Sequence, residues 1–216
     1  MKTTRTAVLL GLLTAAFAPA AVVYDNSGND LAQSFFWSSG WDELGDQVML
    51  VGTDRQITSA QLQLFNLGVA GTFDATLRFY NEGSPVGAGL GEFTLTNLAA
   101  PDLATAGGVF TLLFSTSGLL APDEVIFTLA VFNQSAGVDL GLNLLNPLVQ
   151  GSSAAGFSIR RAGSSFSQEV GADLNYYLVL DAGSGAGTAV VPEPTPLVLT
   201  LWGVVLMVAR KRPRFR

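Results

Sequence analysis

From Ala60 to Phe132 the chain repeatedly alternates apolar and polar residues with a period of two. In Phe73-Asp74-Ala75-Thr76-Leu77-Arg78-Phe79-Tyr80, the residues Phe73, Ala75, Leu77 and Phe79 fall on one face, and Asp74, Thr76 and Arg78 on the other. Ala60-Gln61-Leu62-Gln63-Leu64 and Glu92-Phe93-Thr94-Leu95-Thr96 follow the same rule. Successive side chains of a strand point to opposite faces, so each run predicts a half-buried strand. Val109-Phe110-Thr111-Leu112-Leu113-Phe114 and Val125-Ile126-Phe127-Thr128-Leu129-Ala130-Val131-Phe132 are more continuously apolar and predict central strands. Asn175 to Leu180 predicts the last one. Turn signals separate these runs at Asn81-Glu82-Gly83-Ser84-Pro85, Gly87-Ala88-Gly89, Gly107-Gly108 and Ala121-Pro122-Asp123. Only Leu140 to Leu148 departs from the pattern, and Pro147 limits any helix there. Many short strands with regular punctuation predict an all-β fold, an antiparallel two-sheet β-sandwich of jelly-roll-like type.

The two ends read differently. Lys2 and Arg5 precede the apolar run Ala7 to Phe17, and Ala18-Pro19-Ala20 follows as a small-x-small site. This charged, apolar, small-residue order is that of a secretory signal peptide over residues 1–20, with cleavage after Ala20. At the other end, Leu197 to Ala209 contains no charge, and Arg210, Lys211 and Arg212 follow directly. As a helix that stretch reaches roughly 20 Å, short of a bilayer core of ~30 Å. Snorkelling side chains and local thinning make up the difference, and the cations fix that end in the cytoplasm. The sequence thus predicts a transmembrane segment over 197–209, with Arg210, Lys211 and Arg212 as its stop-transfer cluster. Pro192 and Pro194 each fix their own φ and bias the preceding residue toward an extended conformation. They make Val191 to Pro196 a stiff strip with Glu193 at a fixed height. The glycine- and alanine-rich residues 182–191 read as a linker, and 21–181 as the folded domain.

Val191 to Arg216 resembles the PEP-CTERM sorting domain, with Pro192, Glu193 and Pro194 in the name-giving position, then the apolar span and the basic tail. The basic cluster is extended by Pro213 and Phe215. The resemblance implies a Gram-negative host that makes exopolysaccharide. It also implies a partner, the integral-membrane protease exosortase, that handles the signal while the chain is anchored transiently in the inner membrane. The expected destination is the cell envelope or the extracellular space. A looser likeness covers Val23 to Asn26, Gly45 to Thr58 and Gly71 to Tyr80. These segments are similar to the N-terminal β-sandwich domains of secreted proteins that carry this signal.

Composition narrows the chemistry. The chain has no cysteine and no histidine. That removes disulfides, thiolate metal sites, a cysteine nucleophile and the Ser-His-Asp triad. Between Ala21 and Val191 there are four cations, Arg55, Arg78, Arg160 and Arg161, against 16 carboxylates, a net −12. A surface of that sign argues against nucleic acid as a partner, because phosphate binding needs a basic face.

Three constellations remain as candidate sites. Trp37 and Trp41 with Asp42 have the makings of a sugar platform, flat aromatic faces beside a carboxylate; the competing reading is that the rings plug one end of the core. Asp25 and Asp30 bracket an oxygen-rich turn around Gly28. They are weak ligand candidates for a structural calcium ion, because the spacing departs from that of an EF-hand. A plain turn is the competing reading, and no cofactor is expected. Arg160 and Arg161, adjacent in a strand, point to opposite faces. Nothing selects a catalytic carboxylate pair, so an enzyme is not expected. The sequence therefore points to an exported surface or matrix protein with a structural or adhesive sandwich. The alternatives are a carbohydrate-binding module held in exopolysaccharide and, further off, a carboxylate-based glycoside hydrolase.

Overall fold

The computed structural model describes residues 20–183, apart from 38–39, 82–88, 147, 155–158, 164 and 169–174. These belong to one compact unit. The described chain folds as β1 (Ala21–Asp25), β2 (Asp30–Phe36), β3 (Glu43–Met49), β4 (Gln56–Asn66), β5 (Gly71–Asn81), β6 (Gly91–Ala100), a short helix α1 (Leu103–Ala106), β7 (Val109–Leu120), β8 (Glu124–Phe132), β9 (Leu140–Leu145), β10 (Ser152–Ser153), β11 (Ile159–Ala162), β12 (Ser165–Gln168) and β13 (Leu178–Gly183).

These strands form two antiparallel sheets, so the fold is all-β and sandwich-like. The first sheet runs β1-β13-β4-β9-β2, with β7 also on β4; the second runs β12-β11-β3-β8-β5-β6, with β10 also on β3. Strand β4 organises the first sheet. One flank pairs with β7 from Gln56 to Phe65. The other flank is shared, Gln56 to Leu62 pairing with β13 and Leu64 to Asn66 with β9. In the second sheet β3 is shared in the same way, Glu43 to Gly45 pairing with β11 and Val48 and Met49 with β10.

One core lies between the sheets. Ile57, Leu62, Leu64, Phe114, Leu142 and Leu180 reach it from the first sheet, and Leu44, Val48, Leu77, Phe79, Phe127 and Leu129 from the second. Each such side chain stabilises the fold by about 1.5–3 kcal/mol relative to exposure. Rings interlock across the layers: Phe127 meets Tyr176 edge-on at 6.4 Å, and Phe73 meets Phe110 at 5.7 Å.

The expected alternation in β4 and β5 places the apolar set inward, as its period requires. Strand β8 is central, between β3 and β5. Strand β7 is not: among the described strands of its sheet it pairs only with β4, and Leu113 on its outer face is 61% exposed. Its apolar composition therefore reflects an exposed edge and not burial on both faces. The stretch from Leu140, which broke the pattern, forms β9, a strand buried at every position. Alternation vanishes there because on the outer face Gly141 lies against the Phe36 ring and Asn143 is flanked by Ser34 and Gln63. The last strand starts at Leu178, three residues later than the sequence suggested, and runs to Gly183. Before it, Tyr176 makes an isolated bridge to Leu144.

Candidate functional site

The outer face of the second sheet carries a line of polar side chains. Leu44 and Val48 point into the core, so Glu43, Gly45 and Gln47 face outward. Register sets Gly45, Thr128, Arg78 and Glu92 in one cross-strand row over β3, β8, β5 and β6. Arg78 Nε donates to Glu92 Oε2 at 2.8 Å, and a second guanidinium nitrogen ion-pairs with Glu43 Oε1. The Thr128 hydroxyl donates to the other Glu43 oxygen at 2.6 Å. Burial pulls the Arg78 guanidinium down, but its hydrogen bond to Glu92 and the charges of Glu43 and Glu92 outweigh this and raise it above its ordinary value. Both oxygens of Glu43 are thus committed, and Glu43 is 1% exposed. Such a carboxylate is taken up by contacts within the sheet. This cluster ties four strands together.

A groove of about 320 Å³ opens on the outer face of the first sheet. Register brings Phe36, Gly141, Phe65 and Val109 into one row across β2, β9, β4 and β7. The Phe36 and Phe65 rings meet edge to face at 6.2 Å. A Cβ on Gly141 would lie 3.1 Å from Phe36 Cδ1, so glycine leaves room for the ring. The next row is polar. Ser34 Oγ donates to Asn143 Oδ1 at 2.6 Å, and Asn143 Nδ2 donates to Gln63 Oε1 at 2.8 Å. Asp30 and Ala32 close one end of the groove, where β2 is bulged and Ala32 adopts a φ of 52°.

The sequence candidates fall elsewhere. Trp37 and Trp41 are half-buried and pack against the core. Trp41 stacks on Phe35, with centroids 5.8 Å apart and planes 6° from parallel. The Trp37 indole N–H is buried without an acceptor among the described residues. Asp42 is exposed and accepts a hydrogen bond from Gly163 N at 2.6 Å. Asp25 Oδ1 accepts from Ser27 N at 2.9 Å, and Asp30 Oδ1 from Ala32 N at 2.8 Å, each closing an Asx turn. Asn26 between them is fully buried and donates to Leu145 O and Tyr176 O. Among the described residues no group of three or more acidic side chains is arranged to hold a metal ion. Arg160 and Arg161 lie on β11. Residues 1–19, Pro192, Glu193, Pro194, the segment 197–209, Arg210, Lys211 and Arg212 lie outside the described residues. Within the described residues, no helix is long and apolar enough to cross a membrane.

The groove was not foreseen. Phe36 directly precedes Trp37 in the sequence, but Phe65, Asn143 and Ser34 join it only through strand register. The one available signal was Asn143 inside an otherwise apolar run.

No family model matches the chain, and neither a curated protein nor a solved structure does.

Proposed function

We propose that this chain is an exported surface or matrix protein whose last 25 residues, 192–216, are a PEP-CTERM sorting signal. In this reading the signal peptide is removed after Ala20, and residues 197–209 hold the protein briefly in the inner membrane. An exosortase-type protease then recognises Pro192, Glu193 and Pro194, and the sandwich passes to the envelope or the extracellular matrix. The observation that carries it is the fixed order of proline elbow, uncharged span and Arg210-Lys211-Arg212.

A structural or adhesive role for the domain is supported by how its carboxylates are used. Glu43, Asp74, Asp123 and Asp181 all serve as acceptors within the fold. A jelly-roll-like path is supported by the way the chain crosses between sheets: β3 lies in the second, β4 in the first, β5 and β6 in the second, β7 in the first and β8 in the second.

The test is replacement of Pro192, Glu193 and Pro194 by alanine in the native host, followed by mass spectrometry of the protein. The expected outcome is retention of an unprocessed C-terminus in the membrane. Processing and location identical to the parent would refute the sorting role.

A further inference from the structure

We propose that the groove on the outer face of the first sheet is a binding site for a neutral oligosaccharide, with a pyranose ring seated in the apolar corner between Phe36 and Phe65 and its hydroxyls met by Ser34, Asn143 and Asp30. This goes beyond the sorting signal and does not depend on it.

Three properties select this ligand class. First, the groove is amphipathic in adjacent rows. An apolar corner of two rings set edge to face, flanked by Leu67 and Val109, lies beside a hydroxyl, an amide and a carboxylate. A pyranose has the same division, with an apolar C–H face and a rim of hydroxyls that both donate and accept. Second, the polar row is held in place yet has capacity left. Asn143 is 3% exposed and is fixed by Ser34 on one side and Gln63 on the other. A carboxamide has two N–H donors and a two-lone-pair oxygen, so the bond to Gln63 uses one donor and the bond from Ser34 one lone pair. Ser34, donating its own proton to Asn143, presents its oxygen as an acceptor. Third, the charge is wrong for anions. Among the described lining residues Asp30 is the acidic one, and none is a lysine or arginine. Phosphates, sulfated sugars and uronates are therefore disfavoured, and a neutral sugar is not. A volume of about 320 Å³ is at the small end of the range for ligand sites, suited to a short stretch of glycan.

The site differs from the candidate tryptophan platform of the sequence, Trp37 and Trp41 with Asp42. Trp41 is already stacked on Phe35, whereas Phe36 and Phe65 line open space.

The experiment is calorimetric titration of the full-length chain in a zwitterionic detergent free of sugar headgroups. The probes are neutral gluco-, manno-, galacto- and xylo-oligosaccharides of four units, a uronate oligosaccharide of the same length, and an unrelated extended peptide. At least one neutral oligosaccharide should bind saturably and the uronate more weakly. Phe36→Ala should weaken binding by about tenfold, as expected for loss of an aromatic contact. Leu67→Trp is a second probe at a position 53% exposed, so the sandwich should tolerate it. It should fill the groove and block the same sugar with the melting temperature unchanged. Failure of every neutral sugar to bind the folded protein would overturn the proposal. So would binding undiminished in Leu67→Trp, tighter binding of the uronate, or binding of the peptide in place of sugar. The outcome is read from heats of binding and the sorting reading from the mature C-terminus, so each can fail alone.

Discussion

Arg78 on β5 reaches over the intervening strand β8 to ion-pair with Glu43 on β3, and Thr128 of β8 completes the contact by donating to the same carboxylate. The pair is asymmetric in exposure, with the Glu43 side chain 1% and the Arg78 side chain 24% accessible. Removing the cation takes the ion-pair partner away from a buried carboxylate. Arg78→Ala should therefore destabilise the fold by about 3 kcal/mol, the usual cost of orphaning one partner of a buried pair. Glu43→Gln keeps an acceptor for Thr128 and should cost less. Urea unfolding of the two variants gives the comparison, and equal losses would count against the asymmetry.

Gly45, in the row beside that pair, has no space for a side chain. A Cβ there would sit 1.9 Å from Phe127 O, a backbone atom of β8 that cannot move without parting the strands. Gly45→Ala should cost on the order of 3 kcal/mol or prevent folding. Gly52, at a φ of 71° in open space, makes the control. Gly52→Ala should cost about 1 kcal/mol, from backbone conformation alone. Thermal melts of both variants separate the two causes.

Asn26 closes the seam where β1 takes over from β9 along the chain leading into β13. Its N–H2 group donates to Leu145 O at 3.1 Å and to Tyr176 O at 2.8 Å, while its backbone N–H bonds Leu178 O. Asn26→Ala removes the two donors that reach Leu145 O and Tyr176 O and should cost about 1–3 kcal/mol. Asn26→Asp should be worse at neutral pH, because a carboxylate facing two carbonyls has nothing to donate. Such a group has its folded pKa raised, so the variant recovers stability as pH falls and its carboxyl regains a proton. A pH series of melting temperatures reads this directly, and a variant no better at low pH than at neutral would exclude it.

Asp74 holds two left-handed asparagines, accepting from Asn133 Nδ2 at 2.6 Å and from Asn97 N at 2.7 Å. The Asn133 bond and then the Asn97 bond draw its carboxyl below the ordinary value of 3.8, against a small opposing effect of burial. A depressed carboxylate stabilises the fold above its unfolded pKa and loses that contribution as pH drops through the folded one. Acidification below about pH 4 should therefore weaken the parent more than Asp74→Asn. Melting temperatures at neutral and at strongly acid pH provide the measurement.

Legibility in the sequence follows burial. Strands with one wet face, such as Gln56–Asn66 and Gly71–Asn81, show their period because only one side is apolar. Leu140–Leu145 hides its period because Asn143 and Gly141 are as buried as the leucines around them. Val109–Leu120 imitates a central strand because an edge can leave leucine in water, as Leu113 and Leu120 do. The sites follow a harsher rule. Asp25 and Asp30 are legible as turn residues because an Asx turn is written within three residues. Glu43 and Arg78 are 35 residues apart, and Ser34 and Asn143 are 109 apart. Their meeting depends on strand register across several pairings, and no local spacing announces it.

The last of the described strands, β13, is inserted between the first of them, β1, and β4. The first sheet therefore lacks an interior member until Gly183 has been delivered, and Ala21 waits for Ala182, its partner at the far end of the fold. Such distant pairing delays closure until the whole domain is available. A polypeptide of this design keeps its first sheet open through nearly the whole of its synthesis and seals it in one late step.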